Sequence, residues 1–210
     1  MNRAAGLAAA LALASGGGAA AAPEPCASSS GPAGPDDPRL REWLRGLVHE
    51  VALEEGVDPH ALEALGMTET TLRPSLGRAC ELGPFQVMPW WADVFQLDSP
   101  WLLWDPRINA IAAARIYRSG WLRWNARFAK AGWNRALRAA GWRGRLDRET
   151  FAALAYNWGK APSAFLQAKD LRLVPIPASV AAYALRFSVA LREARQRARA
   201  DNDTPRDRWR

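Results

Sequence analysis

The chain has 210 residues, which is enough for one ordinary domain with a hydrophobic core and too few for two of usual size. A hydrophobic fraction of 49% and a charged fraction of 23% are typical of globular proteins and exclude a chain that is largely disordered. The formal net charge of +7 and the 11 tryptophans are unusual, and they favour a partner that is acidic or that offers flat rings for stacking.

The N-terminal segment has the order of a secretory signal peptide. Residues 1–22 carry a positive charge near their start, at Arg3. An apolar run of about ten residues follows, and the segment ends in small residues that suit cleavage. A disordered Ala/Gly leader is the alternative. The apolar run is too short to span a bilayer and no later segment is longer, so we expect a periplasmic or secreted protein without a membrane span. In such an oxidising compartment Cys26 and Cys80 could form a disulfide, or they could be two free thiols.

Residues 23–38 are rich in Pro, Ser and Gly and predict a flexible linker. A helical domain is expected over 39–200, because an Asp-Pro pair, which combines a capping side chain with a residue suited to the first helical position, occurs three times. Helices are therefore predicted to begin at Pro38, Pro59 and Pro106, and another after Asp147. Helical spacing assigns inward faces to the first and last helices: Leu40, Trp43, Leu44, Leu47, Val48 and Val51 in the first, and Val180, Tyr183, Phe187 and Leu191 in the last.

No series of strands and no repeat is recognisable, so the predicted fold class is mainly α, in a single domain. The outer face of the last helix carries Arg192, Arg195 and Arg199, which we interpret as a solvated surface. Residues 201–210 mix both charges and predict a disordered tail. The Trp-rich stretch 121–144 predicts only broken pieces of helix.

Three short segments carry candidate chemistry. The apolar helix Ala64–Thr70 ends in Glu69, whose carboxyl group we expect to be partly buried and to have a raised pKa, as a general acid requires. The segment Gly83–Pro89 forms a turn that presents Phe85 and Gln86. The segment Ala155–Gly159 ends a helix. Taken singly, each segment also has a structural interpretation, and for a glutamate near a helix end that interpretation is the more common one.

In this order the segments resemble the soluble-type catalytic domain of lytic transglycosylases, which shares the lysozyme-like fold with goose-type lysozyme. Glu69-Thr70 match the Glu-Ser pair of that family, Gly83 to Gln86 its Gly-Leu-Met-Gln loop, and Ala155 to Gly159 its Ala-Tyr-Asn-x-Gly segment. The resemblance covers about Arg41 to Phe165. Threonine replaces the usual serine, and Pro84-Phe85 replace Leu-Met.

The resemblance implies cleavage of the β-1,4 bond between N-acetylmuramic acid and N-acetylglucosamine in peptidoglycan, with closure of a 1,6-anhydro ring. Glu69 would act as both acid and base. The implied substrate-binding residues are Thr70, Phe85, Gln86, Met88, Tyr156 and Asn157. Thr70 and Gln86 would orient acetamido groups and the glutamate, Phe85 and Met88 would line the floor, Tyr156 would lie over the cleft, and Asn157 would fix the glycine turn. Trp90 and Trp91 are candidates for stacking on sugar rings or for core packing.

Alternatives remain at this point. A lysozyme-type hydrolase needs a second carboxylate, for which Glu81 and Asp93 are the nearby candidates. A peptidoglycan-binding protein without activity would keep the binding residues. A basic, Trp-rich nucleic-acid binder is disfavoured by the predicted leader. His49 and His60 are predicted as separate surface residues, so we expect no metal and no cofactor. We expect a monomer that serves wall turnover or clears a path for a secretion apparatus, with end-wise or mid-strand cleavage left open.

Overall fold

A computed structural model of the chain describes residues 36–124, 146–159, 161–168, 174 and 176–203. The predicted leader, nearly all of the predicted linker and most of the Trp-rich stretch lie outside these residues. The described part is mainly helical, as predicted. None of its helices is long and apolar enough to cross a membrane.

Seven α-helices follow one another along the described residues, with one 3₁₀ helix, Pro100–Trp104, before the fourth. In chain order they are α1 Pro38–Glu55, α2 Pro59–Thr70, α3 Trp91–Phe95, α4 Pro106–Arg123, α5 Arg148–Asn157, α6 Ala161–Gln167 and α7 Ala178–Asp203. The short helices α3 and α6 and the 3₁₀ helix were not predicted.

The predicted helix starts are confirmed. Asp37, Asp58 and Asp105 each accept a hydrogen bond from a first-turn amide, and proline follows each of them in the first turn. The side chain of Asp147 accepts from the Thr150 amide at the start of α5. Helix α1 ends at Gly56, whose φ of 67° is a conformation that costs glycine little.

Two expectations for the helices are wrong in detail. Trp43 is 56% exposed, because the buried face of α1 is centred on Leu44, Val48 and Val51, and Trp43 lies about 100° around the helix from Leu44. Helix α7 continues to Asp203, so the chain is still helical where the disordered tail was expected to begin. The predicted inward face of α7 is confirmed, since Val180, Tyr183, Phe187 and Leu191 are all buried.

Helix α2 is the central element. Six consecutive residues, Ala61 to Gly66, are buried, because α1 and α4 pack on it as well as α7. Helix α7 also packs on α5, which in turn packs on α4. A second, smaller hydrophobic cluster joins α5, α6 and the start of α7 through Phe151, Phe165 and Val180. This packing holds the C-terminal end of α2 against the N-terminal part of α7, where Tyr183 contacts Glu69.

Candidate active site

Glu69 lies in the last turn of α2, where the helix leaves the core. The chain turns sharply after it, since Thr71 and Leu72 both have positive φ, at 59° and 57°. Glu69 is partly buried, as predicted, and it follows the fully buried run Ala61 to Gly66 of the same helix. The geometry therefore combines a carboxyl group at a helix end with restricted access to water.

Tyr183 of α7 holds the Glu69 carboxyl group. Its hydroxyl donates a hydrogen bond of 2.6 Å to Oε1 of Glu69, and the tyrosine is only 3% exposed. Burial, and then the nearby charge of Glu69, raise the pKa of Tyr183 well above its ordinary value, so the phenol keeps its proton and remains a donor. The sequence analysis predicted Tyr183 as a core residue and missed this contact.

The pKa of Glu69 is raised from its ordinary value of 4.5 to about 7. Burial is the main cause, because it disfavours the charged carboxylate, and repulsion from Glu81 acts in the same direction. The hydrogen bond from Tyr183 and the positive charge of Arg186 partly oppose the rise. A carboxyl group that titrates near neutral pH can both donate and accept a proton under physiological conditions.

Thr70 has a structural role in this conformation. Its hydroxyl donates to the carbonyl oxygen of Pro84 at 2.7 Å and accepts from the amide of Arg73 at 3.0 Å. Both contacts tie the end of α2 to the loop that follows it. The expectation that Thr70 orients an acetamido group stays a prediction, and in this structure its hydroxyl proton is used in a hydrogen bond to the backbone.

Gln86 also braces the loop. Its φ is 51°, and its side-chain nitrogen donates to Ser75 O at 3.0 Å, Ser75 Oγ at 3.1 Å and Gly83 O at 2.9 Å. These bonds stabilise a tight backbone conformation that is uncommon for a residue other than glycine. The amide nitrogen that was expected to grip an N-acetyl group is therefore used within the protein.

Phe85 does not line a groove, because its side chain is 0% exposed and packs in the main core. Its backbone is the part that matters for the site. The amide donates to Oδ1 of Asn109 at 3.0 Å, and the carbonyl oxygen accepts from the Tyr156 hydroxyl at 2.8 Å. The side-chain nitrogen of Asn109 donates to Leu82 O and Leu103 O at 2.9 Å each. This buried asparagine therefore joins the loop to the 3₁₀ helix.

Tyr156 and Asn157 are the last two residues of α5 and differ in exposure. Tyr156 is partly buried, and its pKa is raised well above the ordinary value by burial and then by the charge of Glu69, which places the phenol in the electrostatic environment of that carboxyl group. Asn157 is exposed and is the last residue of the helix. The structure thus brings Tyr156, Tyr183 and Glu69 together.

The residues after the loop differ in exposure. Met88 is partly buried and packs against the main core. Trp91 is 8% exposed and stacks on Phe95, whereas Trp90 is 38% exposed and stacks on Trp91 at a ring-centroid distance of 4.4 Å. One tryptophan of this pair therefore belongs to the core, and the other presents an open ring face.

Of the two candidates for a second carboxylate, Glu81 lies close enough to Glu69 to raise its pKa by repulsion. Oε2 of Glu81 accepts a hydrogen bond from the Ala79 amide at 2.9 Å, so the side chain is held within its own loop. Asp93 is exposed on α3.

Cys80, which directly precedes Glu81, is buried and disulfide-bonded. The other cysteine of the chain, Cys26, lies outside the described residues.

His49 and His60, expected to be separate, come together with Glu63. Their rings meet edge to face at 5.4 Å, and three ligating atoms of the trio lie within 4.8 Å of one another. Glu63 is 2% exposed, and its carboxylate accepts from Arg45 at 2.8 Å, Arg197 at 2.6 Å and the His49 ring at 2.9 Å. Burial opposes ionisation, but these donors outweigh it and lower the pKa of Glu63 to about 2.

The Glu63 cluster is therefore an ion-pair network that joins α1, α2 and α7. Two guanidinium groups on one carboxylate compete with any cation for the same oxygen lone pairs. Arg195 makes a second link of this kind to the Asp58 carboxylate at 2.7 Å, which modifies the expectation of a fully solvated arginine face on α7.

Comparison of the chain with protein-family models, with curated proteins and with solved structures found no match.

Proposed function

We propose that the chain is a peptidoglycan lytic transglycosylase that acts in the periplasm or outside the cell. It would cleave the β-1,4 bond between N-acetylmuramic acid and N-acetylglucosamine and leave a 1,6-anhydro end. The observation that carries the proposal is the partly buried Glu69 carboxyl group, with a pKa of about 7, held at 2.6 Å by the Tyr183 hydroxyl. The motif order of the sequence supplies the substrate class.

The proposed reaction uses Glu69 twice. The neutral carboxyl group first donates its proton to the glycosidic oxygen, and the leaving sugar departs with that proton. The carboxylate then accepts the proton of the C6 hydroxyl on the remaining sugar, while the C6 oxygen bonds to the anomeric carbon. Protons balance without water or a second carboxylate.

Tyr183 contributes between these two steps. Its hydroxyl can donate to the carboxylate at the moment when the negative charge forms, and a hydrogen bond to a charged acceptor is stronger than one to a neutral acceptor. Because Tyr183 is almost fully buried, its geometry needs no rearrangement during the reaction. Tyr183 is a positioning residue in this scheme.

A hydrolase is the second candidate, and it is favoured by the position of the Glu81 carboxylate close to Glu69. A carboxylate that repels Glu69 could activate a water molecule instead. Its hydrogen bond to the Ala79 amide and its place on the loop favour the transglycosylase, because they fix Glu81 where it tunes the pKa of Glu69.

Release of soluble muropeptides from purified peptidoglycan tests the proposal. Glu69→Gln keeps the shape and the acceptor for Tyr183 but cannot give up a proton, so we expect a loss of at least about 100-fold in rate. Glu193→Gln, at an exposed position of α7, is the matched control and should retain full activity. A peptidoglycan-binding protein without activity would bind the polymer and release nothing in any of the three forms.

A further inference from the structure

Arg186 is an exposed cation close to the Tyr183–Glu69 pair. It follows Tyr183 by three residues on α7 and so projects from nearly the same side of the helix. Its guanidinium carbon is 5.7 Å from the centre of the Tyr183 ring, within the range of a cation–π contact. Arg186 is exposed, and in the part of the chain that the structure describes no carboxylate forms an ion pair with it.

Two other arginines of α7 have carboxylate partners. Arg195 is paired with Asp58 and Arg197 with Glu63, at 2.7 and 2.6 Å. These pairs join α7 to the α2 region of the fold, so they have a structural explanation. Arg186 has none, although it lies beside the one carboxyl group to which the proposed function assigns chemistry.

The charge of Arg186 works against that chemistry when the site is empty. It lowers the pKa of Glu69, while burial and Glu81 raise it, and Tyr183 also lowers it. Tyr156 is also in the electrostatic environment of the carboxyl group, and its raised pKa keeps it neutral at physiological pH. Arg186 therefore disfavours the protonated form of Glu69 that the reaction needs. A substrate anion bound to Arg186 would neutralise its charge and remove this effect.

We propose that Arg186 forms an anion subsite beside Glu69 that takes a carboxylate of the glycan substrate. This inference rests on the proposed function. The guanidinium group offers a planar pair of donors that matches a carboxylate, and its exposed position allows a substituent on the sugar to reach it. Peptidoglycan carries such a carboxylate on the lactyl ether of N-acetylmuramic acid where no peptide is attached, and on the peptide where one is attached. Occupation of the subsite would also help Glu69 to keep its proton until cleavage.

Equilibrium binding in a Glu69→Gln background tests the subsite without turnover. The probes are three glycans of equal length: alternating N-acetylglucosamine and N-acetylmuramic acid with free lactyl carboxylates, the same glycan with its peptides, and a neutral oligomer of N-acetylglucosamine. Adding Arg186→Ala should weaken binding of the acidic glycans about fivefold, as expected for a partly solvated ion pair, and leave the neutral oligomer unchanged. Arg192→Ala, an exposed arginine farther along α7, is the matched control and should change none of the three.

The outcomes show which carboxylate of the substrate binds, and they distinguish failure of the anion subsite from failure of the proposed function. In the peptide-bearing glycan the lactyl carboxyl group is used in the amide bond to the peptide. A loss only with the peptide-free glycan therefore identifies the lactyl carboxylate, a loss only with the peptide-bearing glycan identifies a carboxylate of the peptide, and a loss with both shows that the subsite accepts either one. An equal change with acidic and neutral glycans, or no change, overturns the anion subsite while leaving the proposed function intact. Failure of every glycan to bind in the Glu69→Gln background contradicts the proposed function itself.

Discussion

Replacing Glu69 with glutamine should stabilise the protein at alkaline pH. The pKa of Glu69 rises from an ordinary value of 4.5, which applies to the unfolded chain, to about 7 in the folded protein, mainly through burial. The folded state therefore holds the proton more tightly, and wild-type stability falls as the pH rises from about 4.5 to about 7. At about 1.4 kcal/mol per pH unit, that interval corresponds to about 3 kcal/mol.

Urea unfolding of the full chain, with its disulfide intact, measures this effect. The free energy of unfolding of Glu69→Gln minus that of the wild type should be about 3 kcal/mol larger at about pH 8 than at about pH 4. Glutamine has no proton to lose and can still accept the hydrogen bond from Tyr183, so the variant lacks this pH dependence. The exposed Glu193→Gln substitution controls for the general loss of one negative charge. If the two proteins differ in free energy of unfolding by the same amount at both pH values, the claim that burial destabilises the charged form of Glu69 is refuted.

Three further predictions concern the surroundings of Glu69. Glu81→Gln should keep most of the activity and move the alkaline limb of the pH–rate profile to lower pH, because the repulsion that raises the pKa of Glu69 is removed; loss of nearly all activity would favour a hydrolase. Tyr183→Phe should move the same limb to higher pH and lower the maximal rate, since the donor that stabilises the carboxylate is lost; an unshifted limb would contradict the contact. Gly83→Ala should lower the free energy of unfolding by at least about 1 kcal/mol, because Gly83 has a φ of 74° and an added Cβ would lie 2.7 Å from the Asn109 side chain; unchanged urea unfolding would refute this.

The helical framework was predictable because its signals are local. An aspartate followed by proline caps a helix through contacts within three residues, and all three such pairs begin helices in the structure. The buried faces of α1 and α7 follow from spacing alone, apart from Trp43. The short helix α3 and the 3₁₀ helix carry too few residues for a periodic pattern to form.

The candidate site was predictable only in part. The partly buried position of Glu69 follows from the apolar run of α2, but its partner Tyr183 lies 114 residues away along the chain. A tyrosine on an otherwise apolar inward face was the available signal, because a buried phenol needs a hydrogen-bond partner. The expectation that Phe85 lines a groove was wrong because its side chain packs in the core, and the backbone contacts of the Thr70 and Gln86 side chains join segments that no local pattern relates.

Digestion of peptidoglycan in isotopically labelled water tests most directly whether Glu69 acts as a single acid and base. We predict products with a 1,6-anhydro end that contain no oxygen from the solvent, seen by mass spectrometry for the wild type and absent for Glu69→Gln. Products with a reducing end that carries solvent oxygen would contradict the account, because they would require an activated water molecule and hence a second catalytic group.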